Sequence, residues 1–217
     1  MKNFISLSIM FFSYAAFYAQ ECDNIVDFGS TSFCMPNIAG YEEGYSNENV
    51  KQIADKGRYA DNKILGFYLL SNDFELIRDG AAVTMKEYCK VYGTSETLDL
   101  DVDQKLYDKI EQYLTESFVI SPELTKKGKD YFNYDELDIP ITIEKYSLND
   151  KSTTAVMLMN STFDGVRITQ ITTISFFLVK NRILCLAYYV DYEGKDSITD
   201  AKKGNDLMLM LIQNSNK

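Results

Sequence analysis

The stretch from Ile168 to Asp191 constrains this chain more than any other, because it reads as a hairpin that is apolar on both faces. Ile168 to Lys180 and Arg182 to Asp191 have the β-branched and aromatic content of strands. Lys180-Asn181-Arg182 between them reads as a tight turn, in which Asn tolerates left-handed backbone. The first strand begins by alternating polar and apolar residues. It then places Ile174, Phe176 and Leu178 on one side and Phe177 and Val179 on the other. The return strand sets Leu184, Leu186, Tyr188 and Val190 opposite Ile183, Cys185 and Ala187. Such a hairpin must be covered by helices on at least one face. The next segment offers the cover. Ser197-Ile198-Thr199-Asp200 has the form of a capping box, and Ile198, Ala201, Met208, Leu211 and Ile212 fall at helical spacing. The pattern predicts a helix from Ser197 to Asn214 lying across the hairpin, with Met208 and Leu211 buried and the small Cys185 and Ala187 allowing close approach.

The rest of the chain supplies a sheet for this hairpin to join. Phe28 to Met35 reads as a strand ended by Pro36, Asn37 to Tyr45 as a loop, and Glu48 to Lys56 as a short helix with Val50, Ile53 and Ala54 on one face and Gly57 as its stop. Lys63 to Ser71 reads as a strand, Asn72-Asp73 as a turn, and Ala82 to Tyr92 as another strand. Asp101 and Gln104 can form the cap of an amphipathic helix in which Leu106, Tyr107, Ile110, Tyr113, Leu114 and Phe118 recur at intervals of three and four. Pro122 ends that helix, and Glu123 to Tyr131 reads as a second, exposed helical piece. Ile139 to Leu148 and Thr153 to Met159 then lead into the hairpin, with turns at Asn149-Asp150 and Asp164-Gly165. Four strands in succession with short links pair antiparallel. The expected class is α+β, an antiparallel β-sheet flanked by helices.

Met1 to Ala19 has the layout of a secretory signal peptide: basic Lys2, an apolar run from Phe4 to Phe17, and small residues near its end. Cleavage before Gln20 would leave a single globular domain over residues 20–217, in a periplasmic or extracellular setting. No later stretch reaches the roughly 18 consecutive apolar residues of a membrane span, so no membrane insertion is expected after leader removal. The whole chain carries a net charge of −10, which disfavours nucleic acid and anionic membrane as partners. An exported chain favours disulfides. Four cysteines allow three pairings; Cys22 and Cys34, close together in the irregular N-terminal segment, are the expected bridge, with Cys89 and Cys185 as buried thiols in strands.

The order of elements, with Phe33-Cys34-Met35-Pro36, Leu65-Gly66-Phe67-Tyr68, the run Phe176 to Leu184, Tyr188-Tyr189 and a C-terminal amphipathic helix, resembles the Mog1/PsbP-like group, in its exported bacterial branch of unknown function. The resemblance implies an α/β/α sandwich around an antiparallel sheet over residues 28–213. It also implies an accessory or partner-binding role, since that group has no shared catalytic motif to carry over to this chain.

The chain contains no histidine. This removes the usual neutral-pH general base, the Ser-His and Cys-His pairs, and the commonest zinc ligand. The four cysteines lack any CxxC spacing. Asp99, Asp101 and Asp103 resemble the opening of a calcium loop, but Gln104 stands where that loop needs Gly and Ile110 where it needs Glu; an acidic helix start is the expected role. Asp191, Glu193 and Asp196 cluster around Gly194 in what reads as a solvated turn. Two tyrosine-rich groups, Tyr131-Phe132-Tyr134 and Tyr188-Tyr189-Tyr192, have the amphipathic character of a sugar or peptide groove, or of ordinary packing. No catalytic, metal or cofactor residues are assigned. The expected function is an exported non-catalytic domain that binds a protein or envelope partner. The alternatives are a small-ligand carrier with a pocket between sheet and helix, and a carboxylate-based hydrolase.

Overall fold

The computed structural model describes residues 22–56, 61–118, 120, 140–163 and 166–217. The leader, Gly57, the segment from Pro122 through Tyr134 and the Asp164-Gly165 turn lie outside them. Nine strands and four α-helices are described. A small hairpin pairs β1 (Ile25–Phe28) with β2 (Thr31–Cys34). The main sheet holds β3 (Tyr41–Glu43), β4 (Asn62–Leu70), β5 (Glu87–Thr94), β6 (Ile141–Tyr146), β7 (Ser152–Phe163), β8 (Val166–Val179) and β9 (Arg182–Asp191). Their order across the sheet is β3-β4-β5-β9-β8-β7-β6, and every neighbouring pair is antiparallel. The helices are α1 (Glu48–Lys56), α2 (Ser71–Arg78), α3 (Gln104–Ser117) and α4 (Lys195–Ser215). The chain leaves β5 in mid-sheet, forms α3, reaches the far edge at β6, and meanders back until β9 closes against β5. The class is α+β, as expected from the four consecutive strands.

The β8–β9 hairpin turns on two residues, Lys180 and Asn181, both with positive φ (47° and 58°). That is the backbone of a primed turn, whose twist matches the strands it joins. Arg182, expected in the turn, instead begins β9 opposite Val179. Helix α4 covers one face of this hairpin. Met208, Leu209 and Ile212 pack with Phe177, Leu184, Leu186 and Tyr188, and with Phe28, Phe33 and Met35 from the small hairpin. Towards its start, Ile198 and Ala201 pack on Ile141, Ile143, Val156, Leu158 and Ile171. Cys185 and Ala187 have the opposite parity, so they do not bring the helix close as expected. Gly204 does: a β-carbon there would overlap the Tyr188 phenol. On residues of opposite parity, α3 sets Tyr107, with Leu106 and Ile110, on Leu178 and Ile183. Val50 and Ala54 of α1 and Ile77 of α2 share a cluster with Ile64, Phe67 and Leu69 of β4.

Phe28 to Met35 is not one strand, because Gly29, at φ 60°, turns the chain between β1 and β2. The Asn37–Tyr45 loop contains edge strand β3. Asn72-Asp73 is not a turn but the first turn of α2, which follows β4 directly. Strand β5 begins at Glu87, with 81–86 irregular. Asp103, not Asp101, caps α3 by accepting from Leu106 N–H at 2.7 Å. Ser197 is not an N-cap: α4 starts two residues earlier, and the Ser197 hydroxyl accepts from Glu193 N–H at 2.9 Å. Leu211 is only half-buried, and Leu209 is the leucine that α4 buries completely.

Beneath α4 a polar rung crosses the core. Asn205, fully buried, accepts at Oδ1 from Thr173 and Ser175, each at 2.9 Å, and Ser175 shares a 2.7 Å bond with Thr154. The Asn205 amide nitrogen donates to the Tyr146 hydroxyl at 3.3 Å, and that hydroxyl donates to Asp206 at 2.8 Å. Polar groups taken from water need such partners, and this set fixes the register of α4 on β6, β7 and β8. Among the described residues no helix is long and apolar enough to cross a membrane.

Candidate binding cleft

The acidic run that resembles a calcium loop is divided among structural tasks. Asp103 caps α3. Asp101 accepts from Arg182 at 3.1 Å, and the same guanidinium nitrogen donates to the Leu100 and Asn181 carbonyls at 3.1 and 3.0 Å. The loop before α3 is thereby tied to the tip of the β8–β9 hairpin. Among the described residues, no group of three or more His, Cys, Asp or Glu side chains is placed to hold a metal ion. Asp191, Glu193 and Asp196 form no such group either. Asp191 accepts from Gln170 at 3.3 Å, and burial raises its carboxyl above the ordinary range. Glu193 and Asp196 are exposed.

The second tyrosine group is dispersed by strand parity. Tyr188 points under α4, where its hydroxyl and that of Tyr41 both donate to Glu87 and lie 2.8 Å from each other. Burial, followed by the Glu87 hydrogen bond, pushes both phenols well above their usual range. Tyr189 points the other way and stacks on Tyr88, with ring centroids 4.4 Å apart. Beside it on β8, Thr172 Oγ1 and Gln170 Oε1 are buried without a hydrogen-bond partner. Tyr131, Phe132 and Tyr134 lie outside the described residues. The cysteines divide as expected, with Cys22 joined to Cys34 and Cys89 and Cys185 free and buried. Burial raises both free thiols, that of Cys185 to about 12.

A concave site among the described residues draws on none of these groups. It lies where the β6–β7 turn, the tip of the β8–β9 hairpin and the C-terminal end of α4 meet, and it measures about 500 Å³. That is within the usual range for ligand sites, about 300–1,000 Å³. Leu178 and Val179 are its buried apolar lining, and Met210 stands exposed at its side. Its walls are braced by hydrogen bonds. Asn149 donates to Gln213 across the opening at 2.8 Å. Gln104, at the start of α3, donates to the Asp150 carbonyl at 2.8 Å, and Lys151 N–H donates to Asn149 Oδ1 at 2.9 Å. Asn216, fully buried, donates to the Ile212 carbonyl at 2.9 Å and to the Cys34 carbonyl at 2.7 Å. A cleft held in this way loses little freedom when it is filled.

Its electrostatics run against those of the chain. Lys151, Lys180 and Lys217 line it with Asp150 as the one acidic side chain, in a chain of net charge −10. None of the three lysines forms an ion pair among the described residues. Lys180 donates to the Ser32 carbonyl at 2.9 Å and lies over the Phe33 ring, and neither contact neutralises it. Beyond the rim, Leu207 is exposed one turn before Met210 on the outer side of α4, and Leu148 is exposed beside Asn149. The sequence signal for this site is Leu207 and Met210, two large apolar residues off the buried stripe of α4.

No family model, curated protein or solved structure matches this chain.

Proposed function

We propose that this chain is an exported, non-catalytic binding domain that docks a protein or envelope partner at the cleft beside the end of α4. The observation that carries the reading is Met210 and Leu207. Both are large, apolar and nearly half exposed, at 46% and 44%, and they flank a preformed cleft whose polar walls already hold their shape. Contiguous exposed apolar surface marks interaction sites, and Leu207 and Met210 stand one turn apart on the outer side of α4. Export is supported by the signal-peptide pattern of Met1 to Ala19 and by the Cys22–Cys34 bridge, a bond typical of oxidising compartments. The distribution of α4 and α3 over side chains of opposite parity is consistent with the α/β/α sandwich of the Mog1/PsbP-like group, the fold we infer.

A second reading, a small-ligand carrier, draws on Gln170 Oε1 and Thr172 Oγ1. They are orphaned beside the Tyr88–Tyr189 stack, and unpaired buried polar atoms are uncommon. The two readings separate by experiment. The bait is the mature chain, with extracts of the native envelope passed over the wild type, Met210→Asp and Tyr113→Asp. Among the described residues Tyr113 is the most exposed large apolar residue, at 72%, and lies on α3. A partner retained by the wild type and Tyr113→Asp but lost with Met210→Asp is the expected result. Equal retention by all three would remove the cleft as the docking surface.

A further inference from the structure

Resting on the binding reading, the geometry points to a short acidic peptide segment carrying one apolar residue as the occupant of the cleft. Charge comes first. Three lysines and one aspartate line it. The C-terminal end of α4 contributes roughly half a negative charge, less than the excess of lysine over aspartate side chains in the lining. That end is also partly capped, since the Gln213 carbonyl accepts from Asn216 N–H at 3.3 Å and the Ile212 carbonyl from the Asn216 amide at 2.9 Å. Coulomb attraction at such a rim selects partners by sign and speeds their encounter.

Size comes second. The rest of the chain is strongly acidic, so an extended polyanion, whether a nucleic acid or an anionic bilayer, meets repulsion over most of its contact area. A second copy of this chain meets the same repulsion. A short segment does not, because exposed charges beyond about one Debye length, roughly 8 Å at physiological salt, are screened. Chemistry comes third. The walls present side-chain amides from Asn149, Gln213 and Asn214, which can both donate to and accept from a peptide backbone. Met210, unbranched and adaptable, is an apolar contact suited to a single leucine-sized side chain.

The probe is a fluorescein-labelled octapeptide of Glu and Asp with a central Leu, titrated against the full mature chain by anisotropy. A counterpart with every acid replaced by Lys, and vesicles of phosphatidylglycerol with phosphatidylcholine, are run beside it. We expect saturable binding of the acidic peptide alone, weakening as salt is raised. Lys151→Glu with Lys217→Glu should reduce affinity at least tenfold, and Met210→Ser should reduce it severalfold. All variants should keep the wild-type unfolding midpoint, since these side chains are exposed. Equal binding of the lysine peptide would overturn the acidic preference while leaving the docking reading in place. Binding of vesicles in preference to the peptide would overturn it in favour of a lipid surface. Failure of both peptides, with native capture still lost in Met210→Asp, would likewise overturn it and leave the cleft as the site of some other partner.

Discussion

Asn216 holds both backbone groups of Cys34: its amide donates to the Cys34 carbonyl at 2.7 Å, and its carbonyl oxygen accepts from Cys34 N–H, also at 2.7 Å. One side chain thus pairs with β2 as a neighbouring strand would, 182 residues away in sequence. The same amide closes the end of α4 through the Ile212 carbonyl. All of this is buried. Asn216→Ala should orphan the Cys34 groups at a cost of about 1–3 kcal/mol each, a large share of a domain's net stability. Urea unfolding followed by circular dichroism should show the midpoint fall. An unchanged midpoint would mean that water replaces the amide and that β2 is not held by α4.

The contact of Gly204 with Tyr188 reverses an ordinary rule. Gly→Ala inside an exposed helix usually stabilises by about 1 kcal/mol. Here the added methyl overlaps a phenol that Glu87 and Tyr41 hold in place, and overpacking a filled core costs about 1–3 kcal/mol. Gly204→Ala should therefore lower the thermal midpoint, and a rise would show that the phenol has room to move.

Thr172 and Thr173 are neighbours on β8 with opposite expectations. Thr173 donates to Asn205 at 2.9 Å, whereas the buried Thr172 hydroxyl has no partner. Thr173→Val should cost about 1–3 kcal/mol by stripping the Asn205 rung. Thr172→Val should be neutral or stabilising, because it removes a desolvated hydroxyl that gains nothing in return. If Thr172→Val destabilises as strongly as Thr173→Val, the Thr172 hydroxyl is bonded to an ordered water or a ligand, which would favour the carrier reading.

Much of this architecture is legible in the residue pattern, and the misses have identifiable causes. The β8–β9 hairpin, the α1 helix and α3 come through because each depends on periodicity within one segment, as with Val50 and Ala54 or Tyr107. The edge strand β3 does not, because Tyr41-Glu42-Glu43 becomes a strand only by pairing with β4. Ser197 misleads because a serine near a helix start serves equally as an N-cap or, as here, as an acceptor for the chain entering the helix. The cleft is the hardest to read. Asn149, Lys180 and Asn216 come from three separate elements, and nothing in their spacing reports that topology gathers them. The tyrosines fail for the converse reason. Tyr188 and Tyr189 are adjacent in sequence, yet strand alternation sends them to opposite faces.

Glu43 gives a pH dependence of unusual sign. It accepts from the Phe67 and Tyr45 N–H groups, each at 3.0 Å, and from the Asn24 amide at 2.5 Å, yet burial outweighs these bonds and raises its carboxyl above the ordinary value. A carboxyl raised in the folded state favours folding most when protonated. Its contribution is therefore fully present below the unfolded value and is lost as pH rises through the folded one. Glu43→Gln keeps an acceptor for the two N–H groups and removes the titration. The stability of Glu43→Gln relative to wild type should thus improve as pH is raised from the ordinary carboxyl value through the raised one of the folded state. A constant difference over that range, measured by urea midpoints, would mean that Glu43 titrates alike in both states.

The covering helix provides a graded test of what α4 does. Leu209 is fully buried among Phe177, Leu184 and Leu186, Leu211 is half-buried at the margin of the same cluster, and Met210 is exposed between them. If the helix is an integral layer of the core, stability should follow that order. Leu209→Ala should cost about 2–5 kcal/mol as a cavity-forming substitution, Leu211→Ala clearly less, and Met210→Ala almost nothing. Lys202 is no neutral control, because it pairs with Glu144 at 2.5 Å and lies over the Tyr146 ring. Its replacement by Ala should produce a small loss, typically below about 1 kcal/mol for a partly exposed pair. Lys203, largely exposed and paired with Asp200 at 3.5 Å, is the better control. Thermal and urea unfolding of the five variants would establish the order. Were Leu209→Ala to melt like Lys203→Ala, α4 would have to be a segment that folds only onto its partner. The binding surface would then include its inner stripe, Met208, Leu209 and Ile212, in place of the outer Leu207 and Met210.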